Sequence, residues 1–439
     1  MSERGIPVDA STTASRQTQA NMRARRLVIG GVVVVVLALV ALWVQQTLEV
    51  PSRLSAVPIE LTTRAFVPGI PNARYWVLSD VEPLVRDALA ARQREEAYLS
   101  QSGRAGELPP LELLAISGGG DKGAFGAGLL TGWTASGTRP AFKAVTGVST
   151  GALIAPFAFL GPEYDKVLEE VYTTISPKDV AAPRSVIAAI DNDGMADNSP
   201  LWTLISKRVD ERLLAAIAAE HEKGRILLIG TTDLDARQPV VWNMGNIAAS
   251  GSSDALPLFR SILLASAAIP GAFPPTLVTV EADGKRYQEM HVDGGASAQV
   301  FLYPPSMTQV AARLGEGMVR RGHVYVIRNA ALAPTWAPVE RRTIDIAARA
   351  IDSLITTQGF GDLYRIYATT QQDKLDFNLA YIGEDFVYEN KKEQFETAFM
   401  RSLYDYGFRL GRARYQWHKT PPGLLAAPAA GAVGEAGAQ

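Results

Sequence analysis

The sequence predicts an α/β fold, a mostly parallel central sheet between helical layers in three-layer α/β/α order, preceded by a single transmembrane helix. Three observations carry this expectation. From Leu111 onward, short β-type runs alternate with helical segments, the pattern of a parallel sheet whose strands are joined by helices. Glycine-rich stretches stand between two of those strands and the helices that follow, where tight turns need them. Ahead of all this, Leu27 to Val44 is an unbroken run of 18 uncharged, almost wholly apolar residues.

The bulk composition agrees. A chain of 439 residues holds one large α/β domain with appendages and does not require two. Its 47% hydrophobic and 20% charged residues are the balance of a protein with a substantial core. A net charge of -2 without a long Lys/Arg run gives no reason to expect a nucleic-acid partner. The absence of cysteine excludes disulfides, thiolate metal sites, a thiol nucleophile and cysteine acylation. His221, His291, His323 and His418 show no ligand spacing, so neither a metal nor an organic cofactor is expected.

As a helix, residues 27–44 would be about 27 Å long, close to the hydrocarbon thickness of a bilayer. Arg16, Arg23, Arg25 and Arg26 precede the run, whereas Glu49, Arg53, Glu60 and Arg64 after it cancel. The positive-inside rule then places residues 1–26 in the cytoplasm as a tail and everything after Val44 on the periplasmic or extracellular side. A cleaved signal peptide is the competing reading; against it, the run is long and no clean A-x-A site follows Ala38 and Ala41. A buried core helix is the other, and against that stands the lack of a polar face.

Residues 45–110, broken by Pro51, Pro58, Pro68 and Pro71, read as a connector with a helix from about Val81 to Leu99. Residues 111–330 read as the catalytic core, with strands at Leu111–Ser117, Ala144–Gly147, Arg225–Thr232, Tyr287–Val292 and His323–Arg328. Helices are expected at Ala124–Ala135, Ala152–Phe159, Leu201–Lys223, Ile344–Thr357 and Lys391–Arg414. Residues 331–417 form a mostly helical extension, and the Ala/Gly/Pro-rich residues 418–439 a disordered tail. The loop Asp191 to Pro200 is a candidate for mobility.

Three motifs carry chemistry. Gly147-Val148-Ser149-Thr150-Gly151 is a G-x-S-x-G sequence between an apolar run and an Ala/Leu/Ile helix. A nucleophile elbow needs that sharp turn, and the flanking glycines leave room for it. With 38 glycines in the chain, an ordinary Gly-Ser turn is an equal alternative on this motif alone. Gly118-Gly119-Gly120-Asp121-Lys122-Gly123 follows a strand and precedes a helix. Its spacing fits G-x-G-x-x-G, yet no Asp or Glu occurs from Lys122 to Pro162, where a ribose-binding acid belongs. Lys122 also stands on the wrong side of the last glycine for a P-loop. What remains is a loop whose N–H groups can face an oxyanion, or a structural turn. Val292-Asp293-Gly294-Gly295 ends a predicted strand; it reads as a surface turn or as a carboxylate placed to take a serine proton without a histidine.

Taken together, in this order, Gly118 to Gly123, GVSTG at Gly147 to Gly151 and DGG at Asp293 to Gly295 resemble the patatin-like phospholipases. Leu264 to Pro275 (LASAAIPGAFPP) and Ile229 to Leu234 (IGTTDL) resemble two further blocks of that family, so the likeness runs from about Leu111 to Arg328. It implies a three-layer patatin-like domain, Ser149 as nucleophile, Asp293 as base, and backbone N–H groups of Gly118, Gly119 and Gly120 as oxyanion hole. Lys122, Gly123, Gly147, Gly151, Gly294 and Gly295 would support these motifs, Lys122 by shaping the loop.

His291 shares a strand face with Asp293 at i and i+2 and is either a modulator of the base or a satisfied strand histidine. Trp133, Phe157, Phe159 and Phe273 are acyl-pocket or core residues. The resulting expectation is a membrane-anchored serine acyl hydrolase acting on phospholipid, lysophospholipid or other acyl esters, its partners being the lipid substrate and the membrane. No protein partner is assigned. An NAD(P)-dependent oxidoreductase would share the glycine loop but lacks the acid. A lipid-binding scaffold with a degenerate hydrolase fold is the non-enzymatic alternative, and its signature would be a broken dyad.

Overall fold

The apolar runs of the middle of the chain become strands because their side chains alternate between two buried faces. In β2, Leu114 and Ile116 join one hydrophobic cluster while Leu113 and Ala115 join another on the opposite side. A computed structural model describes residues 25, 30–39, 52–104, 106, 108–185, 192–315, 317, 320–333, 336, 338–389 and 391–424. Arg53–Ala189 and Asp193–Gln439 form one unit; Met1–Ser52 and Ile190–Asn192 fall in another.

The strands are β1 Arg74–Tyr75, β2 Leu111–Ile116, β3 Ala144–Val148, β4 Ala182–Pro183, β5 Ala196–Asp197, β6 Ile226–Asp233, β7 Gln238–Asn243, β8 Thr276–Ala282, β9 Lys285–Asp293, β10 Gly322–Ala331 and β11 Asp376–Ile382. Described helices of ten residues or more after Ser52 are α1 Glu82–Gln101, α2 Gly123–Ala135, α3 Thr150–Leu160, α4 Asp165–Thr174, α5 Ser199–Arg208, α6 Glu211–Glu222, α7 Ala255–Ser266, α8 Thr343–Gln372 and α9 Thr397–Arg412. The main sheet runs β1-β7-β6-β3-β2-β10-β11, with β9 pairing β6 and β8 pairing β9. Its block β6-β3-β2-β10-β11 is parallel, while β1, β7, β8 and β9 attach antiparallel.

Helical residues cover both faces: Phe125 and Leu129 of α2, Ile154 of α3 and Leu403 of α9 on one, Leu363 and Ile366 of α8 on the other. This is a three-layer α/β domain with a mixed, mostly parallel sheet. Helices α2 and α9 cross at small residues. A Cβ on Gly128 would lie 2.1 Å from the Tyr404 carbonyl oxygen, and one on Gly411 2.3 Å from that of Leu129.

The five predicted strands are present; β1, β4, β5, β7, β8 and β11 go beyond the expectation. The helix expected over Leu201–Lys223 is two, because Asp210 caps a fresh start by accepting the Leu213 N–H. The last helix begins at Thr397 instead of Lys391, and α8 runs on to Gln372. Residues expected as a connector supply β1 and α1 to the domain. His418, where the tail was expected to begin, exchanges two backbone hydrogen bonds with Leu379 of β11. Of the loop proposed as mobile, Asp191 lies outside the described residues, while Ala196–Asp197 pairs with β4 and α5 starts at Ser199.

Residues 30–39 of the expected membrane span are helical with Val32 to Val36 exposed; residues 27–29 and 40–44 of that span lie outside the described residues. No helix among the described residues is long and apolar enough to cross a membrane.

Candidate active site

Strands β2 and β3 lie side by side with Ile116 opposite Gly147. The chain leaving β2 therefore emerges beside the turn leaving β3, at the carboxyl edge of the parallel block, where α/β sheets place their ligands. At that turn Ser149 has φ 55 and ψ -124, a conformation held only under constraint. Its N–H donates to Ser266 Oγ at 3.0 Å, and that hydroxyl donates to the Gly230 carbonyl at 2.7 Å. The glycines of the motif are required by crowding. A Cβ on Gly147 would stand 2.4 Å from the Gly151 oxygen, and one on Gly151 2.2 Å from the Ile116 oxygen.

Asp293 ends β9 opposite Thr231 of β6, and its N–H donates to the Ala268 carbonyl at 2.9 Å. The segment Leu264 to Pro275 thus holds the backbone of both residues, Ser149 through Ser266 and Asp293 through Ala268. Asp293 Oδ1 accepts the Gly295 N–H at 2.7 Å, and the Ser149 hydroxyl lies near enough to the carboxylate to lower its pKa. Both are nearly buried, at 7% and 5% exposure. Burial raises the Asp293 carboxyl to about 6, while the Ser149 hydroxyl and the Gly295 N–H draw it back down. Such a group is ionised at neutral pH yet basic enough to accept a proton. Gly294 and Gly295 fit because side chains there would meet the Gly230 oxygen at 2.5 Å and Gln299 Nε2 at 2.3 Å.

The glycine loop lies against the same point: a Cβ on Gly118 would be 3.1 Å from that of Ser149. Its three proposed donors are not equivalent. Gly118 N–H is spent on the Gln299 carbonyl at 3.0 Å, whereas Gly119 and Gly120 N–H meet no protein acceptor among the described residues. Asn329 at the end of β10 fixes the loop: its N–H donates to Ser117 Oγ at 2.8 Å, its Nδ2 to the Ser117 carbonyl at 2.9 Å, and its Oδ1 accepts the Gly126 N–H at 3.0 Å. Gly119 must be small, since a Cβ would fall 2.2 Å from the Asn329 oxygen. Gly123 packs on Thr150 at the head of α3.

Lys122 is exposed and contributes its N–H, which donates to the Gly119 carbonyl at 3.1 Å. The charge that anchors the loop is its neighbour: buried Asp121 binds Lys391 Nζ at 2.6 Å and accepts the Phe395 N–H at 2.8 Å. Sequence reasoning missed this pair, and also Gln299 and Asn329, which no local motif marks. Ser266 lies within Leu264 to Pro275, where nothing local marks its hold on the Ser149 N–H.

His291 is hydrogen-bonded away from Asp293. Its Nδ1 pairs with Thr231 Oγ1 at 3.0 Å and its Nε2 with Glu289 Oε2 at 3.2 Å; burial, with Arg74 nearby, holds it well below the usual histidine range. Asp233, Glu289 and His291 bring ligand-type atoms within 4.8 Å of one another. The buried Arg74 guanidinium already binds both Glu289 oxygens, so the group reads as an internal ion cluster. Trp133, Phe157, Phe159 and Phe273 are all buried in hydrophobic clusters.

Comparison with known proteins adds a family. Residues 114–304 match the family model described as patatin-like phospholipase. The crystal structure of VipD from Legionella pneumophila is similar at 13% identity over 71% of this chain and 68% of that chain, with a TM-score of 0.33. No curated protein matches the chain.

Proposed function

We propose, from the premise that residues 114–304 form a patatin-like phospholipase domain, that this lipid acyl hydrolase works through a Ser149 acyl-enzyme with Asp293 as its base. The observation that carries the reading is the nearness of the Ser149 hydroxyl to a buried carboxylate raised to about 6, on a strained turn beside two unengaged N–H groups. Asp293 accepts the hydroxyl proton as Ser149 Oγ attacks the ester carbonyl carbon. The oxyanion forms against Gly119 and Gly120 N–H. Collapse expels the alcohol, which takes the proton from Asp293; water then repeats the sequence and releases the acid.

Gly118 has a positioning part in this scheme, its N–H being engaged elsewhere. A membrane anchor at residues 27–44 belongs to the same reading, supported by its length and lack of charge; it would leave residues 1–26 in the cytoplasm and concentrate the enzyme on its substrate. Alkaline extraction of membranes tests the anchor: the full chain should stay with the lipid, and a chain lacking residues 1–44 should not.

For the chemistry, the purified chain is given phospholipid and short-chain acyl esters, and labelled with a fluorophosphonate. Ser149→Ala should abolish both turnover and labelling. Turnover that survives the substitution would refute the mechanism, and a wild-type chain inert to ester and probe would favour a lipid-binding scaffold.

A further inference from the structure

A cavity of about 520 Å³ lies under the sheet, away from Ser149, a volume in the range of small-molecule sites. Its floor is one face of the strands, shown by Leu111 and Leu113 of β2 and Ile226 and Leu228 of β6. Ala144 and Thr146 of β3 also line it. Ser149 follows the end of that strand, so at the rise of a β-strand it lies roughly 10 Å beyond Thr146 and roughly 16 Å beyond Ala144. The walls come from α1 and the segment Leu302 to Thr308. Along α1 the lining runs from Leu84 to Glu96, about 18 Å of helix, an elongated shape that suits a chain better than a ring.

One wall is charged. Glu95 of α1 binds Lys143 Nζ at 2.8 Å and Arg320 Nη2 at 2.8 and 2.9 Å. Two cations against one carboxylate leave this cluster a positive charge in excess, and Arg320 Nε is buried without an acceptor. The other charged groups of the lining have partners: Arg92 pairs with Glu96, Asp87 accepts from Asn243 and Asn246, and Asp373 accepts from Tyr303. Burial lowers Lys143 to about 8 even with Glu95 beside it, as for a cation short of counter-charge.

We infer that this cavity is a second ligand site, separate from Ser149, for a single-chain carboxylic acid of the fatty-acid type. The tail lies along the leucine floor and the carboxylate sits against the excess positive charge of the Arg320–Glu95–Lys143 cluster, where Lys143 Nζ already donates to Glu95 and to the Ala91 and Gly224 carbonyls. Binding here requires no acyl transfer, so the test is made in the full-length Ser149→Ala chain and does not stand or fall with the catalytic reading.

The chain is irradiated with a diazirine-bearing palmitate and the adducts are mapped by mass spectrometry. Adducts are expected on residues 84–96 and 302–308, displaced by unlabelled palmitate about tenfold more readily than by hexadecanol, which lacks the charge. Arg320→Gln should lower their yield about tenfold by removing the charge-assisted contact. Leu302→Trp, which fills the cavity and leaves the ion cluster intact, should lower it as well; melting curves confirm that each variant is folded. Adducts confined to residues 27–44 or 149–160, or equal displacement by the alcohol, would overturn the assignment.

Discussion

Replacing Asp293 with asparagine should make the protein more stable at pH 8 while destroying its activity. The carboxyl, ordinarily at 3.8, is raised by burial to about 6; that displacement corresponds to about 3 kcal/mol. The folded state therefore prefers the protonated form. This contribution is fully present below the unfolded value near 3.8 and is lost as pH rises through about 6. Above that, the domain carries an ionised group its surroundings disfavour. The asparagine side chain would have the same shape, and its Oδ1 can still accept the Gly295 N–H, but it has no charge to bury. Denaturant titrations at pH 4 and pH 8 should thus show the variant's advantage growing from near zero to about 3 kcal/mol. The wild-type enzyme should lose kcat/KM about tenfold per pH unit below about 6, as the base protonates. A stability difference that ignores pH, or an activity limb close to the ordinary carboxylate value, would refute the assigned environment.

Other substitutions probe the scaffold around the dyad. Ser266→Ala strips the acceptor from the Ser149 N–H at the strained turn, and should cost about 1–3 kcal/mol of stability and lower kcat with KM little changed; unchanged kcat would show that the turn holds itself. Gly119→Ala drives a methyl against the Asn329 carbonyl and should cut kcat about 100-fold or more by displacing an oxyanion donor, with fluorophosphonate labelling slowed in parallel. Lys391→Ala leaves buried Asp121 without its cation and should destabilise by about 2 kcal/mol, the lysine being partly solvated. Lys391→Arg should restore most of this loss, and an equal effect of both variants would mean that the ion pair is not what anchors the loop.

Much of the site was legible because the chemistry demanded local patterns. The glycines around Ser149 and after Asp293 are spaced as they are because backbone passes within van der Waals contact on both sides, and that need is written in adjacent letters. The hairpin β8–β9 carries a local signal too: Asp283-Gly284 takes positive φ at both positions, the signature of a two-residue turn between strands. Other features left no such trace. The division of residues 201–223 rests on one capping aspartate in an otherwise continuous helical pattern, and the edge strand β11 carries Asp376 and Asn378, which lower its apparent β character.

By itself, the sequence determined four strands of the parallel block, β2, β3, β6 and β10, the order of the motifs and the chemical groups available: one hydroxyl, one carboxylate and a run of small residues. Only the tertiary structure decided that groups 144 positions apart come near each other, that one intervening segment holds both, and that Gly119 and Gly120 rather than Gly118 keep their N–H groups unengaged. It alone set the basicity of Asp293, because desolvation depends on everything packed around a carboxylate and on nothing in its own residue type.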